Sequence, residues 1–68
     1  SPAIIPTVAE GIAEITKMGH SILMAESNIH HVPEFATRLY VIERGEIIFS
    51  GPPSEARRNE AVMRVIGG

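Results

Sequence analysis

Ile22-Leu23-Met24-Ala25, running into Glu26-Ser27-Asn28, is the stretch whose reading decides the fold. An unbroken apolar run, bounded by His20-Ser21 and by a polar triplet, predicts a short strand from Ser21 to Ala25 that is buried on both faces. Such runs belong to parallel sheets covered by helices, because a half-exposed strand alternates apolar with polar residues. A helical pattern precedes the run and a shorter one follows it, the order that β-α-β connections need. In open parallel sheets, ligands collect beyond the carboxyl ends of the strands. Glu26, Ser27 and Asn28 stand at that place and are the first candidates for chemistry.

The chain has 68 residues, enough for one small domain. At that size folding removes only roughly 60% of the extended chain's surface, so stability is marginal without staples. There are no cysteines and therefore no disulfides. A net charge of -2 argues against a nucleic-acid partner, which calls for a basic face. No apolar run approaches the ~20 residues of a membrane span. The chain opens at Ser1 rather than Met, which predicts a piece of something larger.

Outward from the central run, Ser1-Pro2-Ala3-Ile4-Ile5-Pro6 reads as a lead-in, with Pro6 suited to a first helical turn. Val8, Ile12 and Ile15 then fall at helical spacing, with Glu10, Glu14 and Lys17 largely opposite. Gly19 suits the left-handed residue that ends a helix, so the helix is expected over Pro6 to Met18. After the strand, Asn28 is a natural N-cap, but Pro33 lacks the N–H that a regular helix would use. A loose turn over Ile29 to Val32 and a helix nucleated at Pro33 avoid the conflict, with Val32, Phe35, Ala36 and Leu39 as its apolar side.

Leu39-Tyr40-Val41-Ile42 and Ile47-Ile48-Phe49 flank Glu43-Arg44-Gly45-Glu46, the pattern of a tight hairpin centred on Arg44-Gly45. Gly51-Pro52-Pro53 ends the last strand, since neither proline can donate to a ladder. Ser54 can cap a short turn through Arg57. Asn59 can cap a final helix holding Val62, Met63, Val65 and Ile66, with Gly67-Gly68 as its stop. The expected order is α-β-α-β-β-α, with the first two strands parallel through a right-handed crossover. Two strands so apolar need covered edges, so neighbouring strands are expected from elsewhere.

In that order the chain resembles the C-terminal part of an ABC transporter ATP-binding protein, and within that family the branched-chain amino-acid importers. Ser1-Pro2 resembles the tail of the D-loop, and Ile22 to Asn28 resembles the last core strand with its switch loop. Tyr40 to Pro52 resembles the closing hairpin, and Asn59-Glu60-Ala61-Val62 resembles the end of that importer subgroup. The resemblance implies an α/β fold, a partial P-loop NTPase-type C-terminal subdomain, with residues 1–68 as a single partial domain. It places Ser27 where most such ATPases carry the switch histidine, making Ser27 the catalytic candidate. The phosphate-cradling loop, the signature motif and the strand bearing the Mg-coordinating Asp would precede residue 1. The implied parent is an ATP hydrolase that uses ATP and Mg to drive solute import. Its partners would be the rest of the nucleotide-binding domain, a second ATP-binding subunit and transmembrane permease subunits. It would lie in the cytoplasm, peripheral on the inner face of the cell membrane. The 68-residue piece would be inactive alone.

Each signal also has a plainer reading. Glu26-Ser27-Asn28 suits an ordinary turn, since Ser and Asn favour turns. His30 and His31 are neighbours, about 100° apart on a helix, and cannot readily share a metal ion. No metal or cofactor site is expected within the chain. His20 reads as a loop residue and Arg57-Arg58 as a solvated helix face. Met18, Met24 and Met63 sit in apolar runs and read as core. There is no Asp and no self-contained catalytic constellation. The alternative function is a stand-alone α/β interaction module that buries its sheet edge in a homo-oligomer.

Overall fold

The computed structural model describes Ile4 to Gly68; the expected D-loop tail at Ser1-Pro2 lies outside the described residues. A helix α1 (Ile4–Lys17) leads into a stretch without regular structure and a single 3-10 turn, Ile29–His31. Two strands, β1 (Leu39–Glu43) and β2 (Glu46–Gly51), follow, and the chain closes with α2 (Pro53–Ala56) and α3 (Glu60–Ile66). Gly19 takes φ +93°, the left-handed geometry that stops α1 as its sequence foretells.

The hairpin forms where the pattern puts it. Arg44 and Gly45 both have positive φ, 52° and 81°, so the two-residue turn twists with its strands. Leu39 faces Gly51, Val41 faces Phe49, and Glu43 faces Glu46 in an antiparallel register. Between Val41 and Ile42 the register shifts and leaves Ile48 as an extra residue, a bulge that bends β2. The inner face carries Val41, and the outer face carries Tyr40, Ile42 and Ile47, all exposed.

The core gathers under this inner face. Ile29, Val41, Ala56 and Val62 are buried, with Leu39, Ile48, Phe49 and Met63 packed around them. Asn59 caps α3, its side-chain oxygen accepting from the Val62 amide at 3.1 Å. The short α2 starts at Pro53 behind Pro52, with no side-chain cap. Ser54 therefore lies inside that helix and does not cap it. Prolines at the start set the helical φ and lack an N–H that would go unpaired there.

Three expectations are corrected. Residues 21–25 form no strand, and no backbone hydrogen bond reaches them among the described residues. An extended segment becomes a strand only against a neighbour's ladder, and the one sheet here is a two-stranded antiparallel pair. The order α-β-α-β-β-α and its parallel crossover are thus replaced by α1, a 3-10 turn, β1, β2, α2 and α3. The second helix shrinks to one hydrogen-bonded turn, Ala36 N–H to the Pro33 carbonyl at 3.0 Å. Too few residues separate Pro33 from β1 to offset the cost of nucleating a helix. The third correction concerns the methionines. Met63 packs on the core, but Met18 is 74% exposed and Met24 43%, because nothing among the described residues covers their runs.

What remains is a large apolar surface. Leu23 is 95% exposed, and the stretch 20–27 borders an open trough of about 1120 Å³. Its other walls are α1, the free edge of β1 and the end of α3. That volume exceeds the ~300–1,000 Å³ of small-molecule pockets and has the size of an unfilled protein core.

Two outcomes follow for the 68-residue chain. Ile29→Ala removes a buried side chain and is expected to cost about 2–4 kcal/mol, whereas Leu23→Ala should stay within about 0.5 kcal/mol. Urea midpoints of the two variants measure this, and a larger loss for Leu23→Ala would place the core elsewhere. A concentration series in the analytical ultracentrifuge is expected to show self-association, since exposed apolar patches and bare strand edges find partners. A strictly monomeric species with a cooperative melt would contradict that.

Candidate functional site

The polar triplet after the apolar run is built into a tight knot. Glu26 folds its side chain forward along the chain, and a single carboxylate oxygen, Oε2, accepts two backbone N–H groups. They are those of Ser27 at 2.8 Å and Asn28 at 3.0 Å. Hydrogen bonds to an ionised acceptor are short and about twice as strong as neutral ones. Across from them, His31 Nδ1 stands 3.7 Å from the same oxygen, an ion pair when the ring is protonated.

Asn28 does what its residue type suggests. Its backbone is extended, φ -131° and ψ 122°, and its side-chain oxygen accepts from the His30 amide at 2.8 Å. This cap starts the 3-10 turn that delivers Ile29 into the core. The His30 ring then reaches the far end of the chain, its Nε2 lying 3.1 Å from the Gly67 carbonyl. The knot is tied at once to the core through Ile29 and to the end of α3 through His30.

Ser27 sits at the crest of this turn, exposed, with its backbone N–H held by Glu26 and its residue on the lip of the trough. Below it the lip carries His20, Thr37 and Arg38. The Arg38 guanidinium donates to the Ser50 hydroxyl at 3.0 Å, bridging the lead into β1 to β2. The arrangement thus offers an exposed hydroxyl, with no side-chain hydrogen bond among the described residues, on a clasped turn beside an apolar hollow that Arg38 also lines.

The two histidines take different partners, Gly67 and Glu26. Among the described residues, no group of three or more His, Cys, Asp or Glu stands close enough to hold a metal ion. His20 is exposed in the loop after α1 and lines the trough, and Arg57 and Arg58 are exposed at the end of α2.

The sequence reading brought Glu26, Ser27 and Asn28 together and foresaw the Asn28 cap. It missed the Glu26 carboxylate as the clasp of the turn. Short Asn, Asp, Ser and Thr side chains are the usual partners of nearby amides, and a Glu in that role carries no local signal. The contact of His30 with Gly67 spans 37 residues and has no sequence signature either.

Against known proteins, no family model and no solved structure matches the chain. Curated proteins similar to it include the following three. An ABC transporter ATP-binding protein of Geobacter sulfurreducens is 40% identical over 71% of this chain and 17% of its own length. An energy-coupling factor transporter ATP-binding protein of Methanothermobacter thermautotrophicus is 29% identical over 87% of this chain and 20% of its own. A lipopolysaccharide export system ATP-binding protein of Haemophilus influenzae is 25% identical over 98% of this chain and 28% of its own. The chain spans 17% to 28% of the length of these relatives. It is similar to a segment of transporter ATP-binding proteins.

Proposed function

We propose that this chain is the segment of a transporter's ATP-binding subunit that carries the switch turn and the closing hairpin. The parent couples ATP binding and hydrolysis to solute movement across a membrane. The observation that carries this reading is the place of Ser27. It stands exposed on a clasped turn at the end of an apolar run, and the family resemblance assigns that position to the switch. The likeness to transport ATP-binding proteins over most of the chain supports it. Import of a branched-chain amino acid is the finer proposal, resting on the resemblance of the hairpin and of Asn59-Glu60-Ala61-Val62.

On this reading the trough is the seat of the rest of the nucleotide-binding domain. The bare backbone of residues 21–25 and the free edge of β1 border it, both ready to pair with further strands. The phosphate-cradling loop and the ligands of Mg belong to that remainder, along with most of the charge stabilisation that phosphoryl transfer needs. Ser27 contributes a hydroxyl that orders a water beside the terminal phosphate, an interaction nearly as good as a direct hydrogen bond. A second ATP-binding subunit and transmembrane permease subunits complete the machine on the cytoplasmic face of the membrane. No helix among the described residues is long and apolar enough to cross it.

A second reading has one observation in its favour. The open trough and exposed outer face of the hairpin would also suit an α/β module that covers its own apolar surface as a homo-oligomer. ATP turnover separates the two.

In the full-length protein, reconstituted with its permease, Ser27→Ala is expected to lower steady-state ATP hydrolysis roughly 3- to 100-fold. This follows from ~1.5–3 kcal/mol for a hydrogen bond involving charge, less through water, at a factor of ten per ~1.4 kcal/mol. Nucleotide affinity should change little. Unchanged turnover would reduce Ser27 to part of a turn. The 68-residue chain alone is expected to release no phosphate above a buffer blank, and clear release from pure material would overturn the assignment of catalysis to the remainder.

A further inference from the structure

We infer that Glu26 is a positioning residue for Ser27: its carboxylate sets the direction in which the Ser27 hydroxyl is presented. The inference rests on the switch-turn reading above and deepens it.

Three observations converge. The first is that one oxygen, Glu26 Oε2, accepts both consecutive amides, Ser27 and Asn28. Two N–H groups aimed at one acceptor fix two successive peptide planes, and the Ser27 Cα–Cβ bond lies between them. The second is the condition of the segment that leads into the turn. Residues 21–27 are exposed, and no backbone hydrogen bond reaches Ser21 to Ala25 among the described residues. Without the carboxylate, nothing on the N-terminal side would define the rotation of the Ser27 peptide. The third is the partial cover of the Glu26 side chain. Its side chain is only 28% exposed in a run where Leu23 is 95% exposed. A carboxylate free to choose would extend into water. This one is folded against the amides with His31 beyond it.

The charge also matters to a phosphate nearby. A bare carboxylate on the lip would repel an approaching anion. Glu26 itself lines the trough, but its Oε2 accepts two N–H groups and lies 3.7 Å from His31 Nδ1, so that oxygen is already partnered. Glu26 thus orders the turn without placing an unmet negative charge beside Ser27.

A residue that acts through another is separated from one that merely supports the fold by a double-mutant cycle. The full-length, permease-reconstituted protein is assayed as wild type, Glu26→Ala, Ser27→Ala and the double variant, with kcat and KM for ATP measured separately. Glu26→Ala is expected to lower kcat about 10-fold, equivalent to ~1.4 kcal/mol, with KM within about twofold. In the Ser27→Ala background the same change should lower kcat no further. Glu26→Gln keeps an acceptor oxygen without the charge and should lose about 2- to 5-fold. It also carries the test if the alanine variant fails to fold.

Wild-type turnover in both Glu26 variants would overturn the inference. So would an equal loss from Glu26→Ala with and without the Ser27 hydroxyl, which would make Glu26 a support of the fold. If Ser27→Ala keeps full activity while Glu26→Ala loses it, Glu26 acts by some other route and the inference also falls. A wild-type protein that hydrolyses no ATP overturns the underlying reading and the inference together.

Discussion

The antiparallel pairing of Leu39–Glu43 with Glu46–Gly51 is the interaction on which the rest of the structure depends. Only these strands satisfy one another's backbone among the described residues, and their inner face gives the 3-10 turn, α2 and α3 something to cover. Val41 meets Ala56 of α2, Val62 of α3 and Ile29 of the 3-10 turn in one small core. An isolated two-stranded hairpin is barely stable in water. Here the short helices and the turn close one face, and the other face stays open, with Tyr40, Ile42 and Ile47 exposed.

What could be read from the sequence is what is decided locally. Arg44-Gly45 needs positive φ from both residues to make a tight turn, and both have it. Asn59 and Asn28 cap because their short side chains reach amides two or three residues ahead. Gly19 ends α1 through its own backbone freedom. None of these features depends on distant chain. The run Ile22 to Ala25 is of the other kind. Its composition says that it belongs between two layers with a strand on each side, but pairing and cover are long-range properties. Where no neighbour supplies them, the same residues lie exposed and without regular structure. The misplaced strand and the uncovered Met18 and Met24 have this single cause.

The candidate site divides along the same line. Ser27 and Asn28 could be picked out because short polar residues after an apolar run mark a strand end and a helix start. Glu26 could not, because its role comes from a side chain folding back over its own successors. The tie from His30 to Gly67 depends on how the final helix comes home against the turn, which no local pattern encodes.

These contacts also hold the turn in place at the end of a run, residues 21–25, that no backbone hydrogen bond reaches among the described residues. The amides of Ser27, Asn28 and His30 are each held by a side chain of the same knot, Glu26 or Asn28. Ile29, 1% exposed, anchors the knot to the hairpin core, and His30 anchors it to the last turn of α3. A displacement of Ser27 would therefore have to break hydrogen bonds or draw Ile29 out of the core. The run before it has neither kind of hold: no backbone hydrogen bond reaches residues 21–25 among the described residues, and they are exposed. The Ser27 hydroxyl is thus oriented by the Glu26 carboxylate, while the turn as a whole is anchored from its C-terminal side, by the part of the chain that folds around the hairpin. Cover for residues 21–25 would complete the sheet side of the site while leaving the geometry of the turn to contacts already in place.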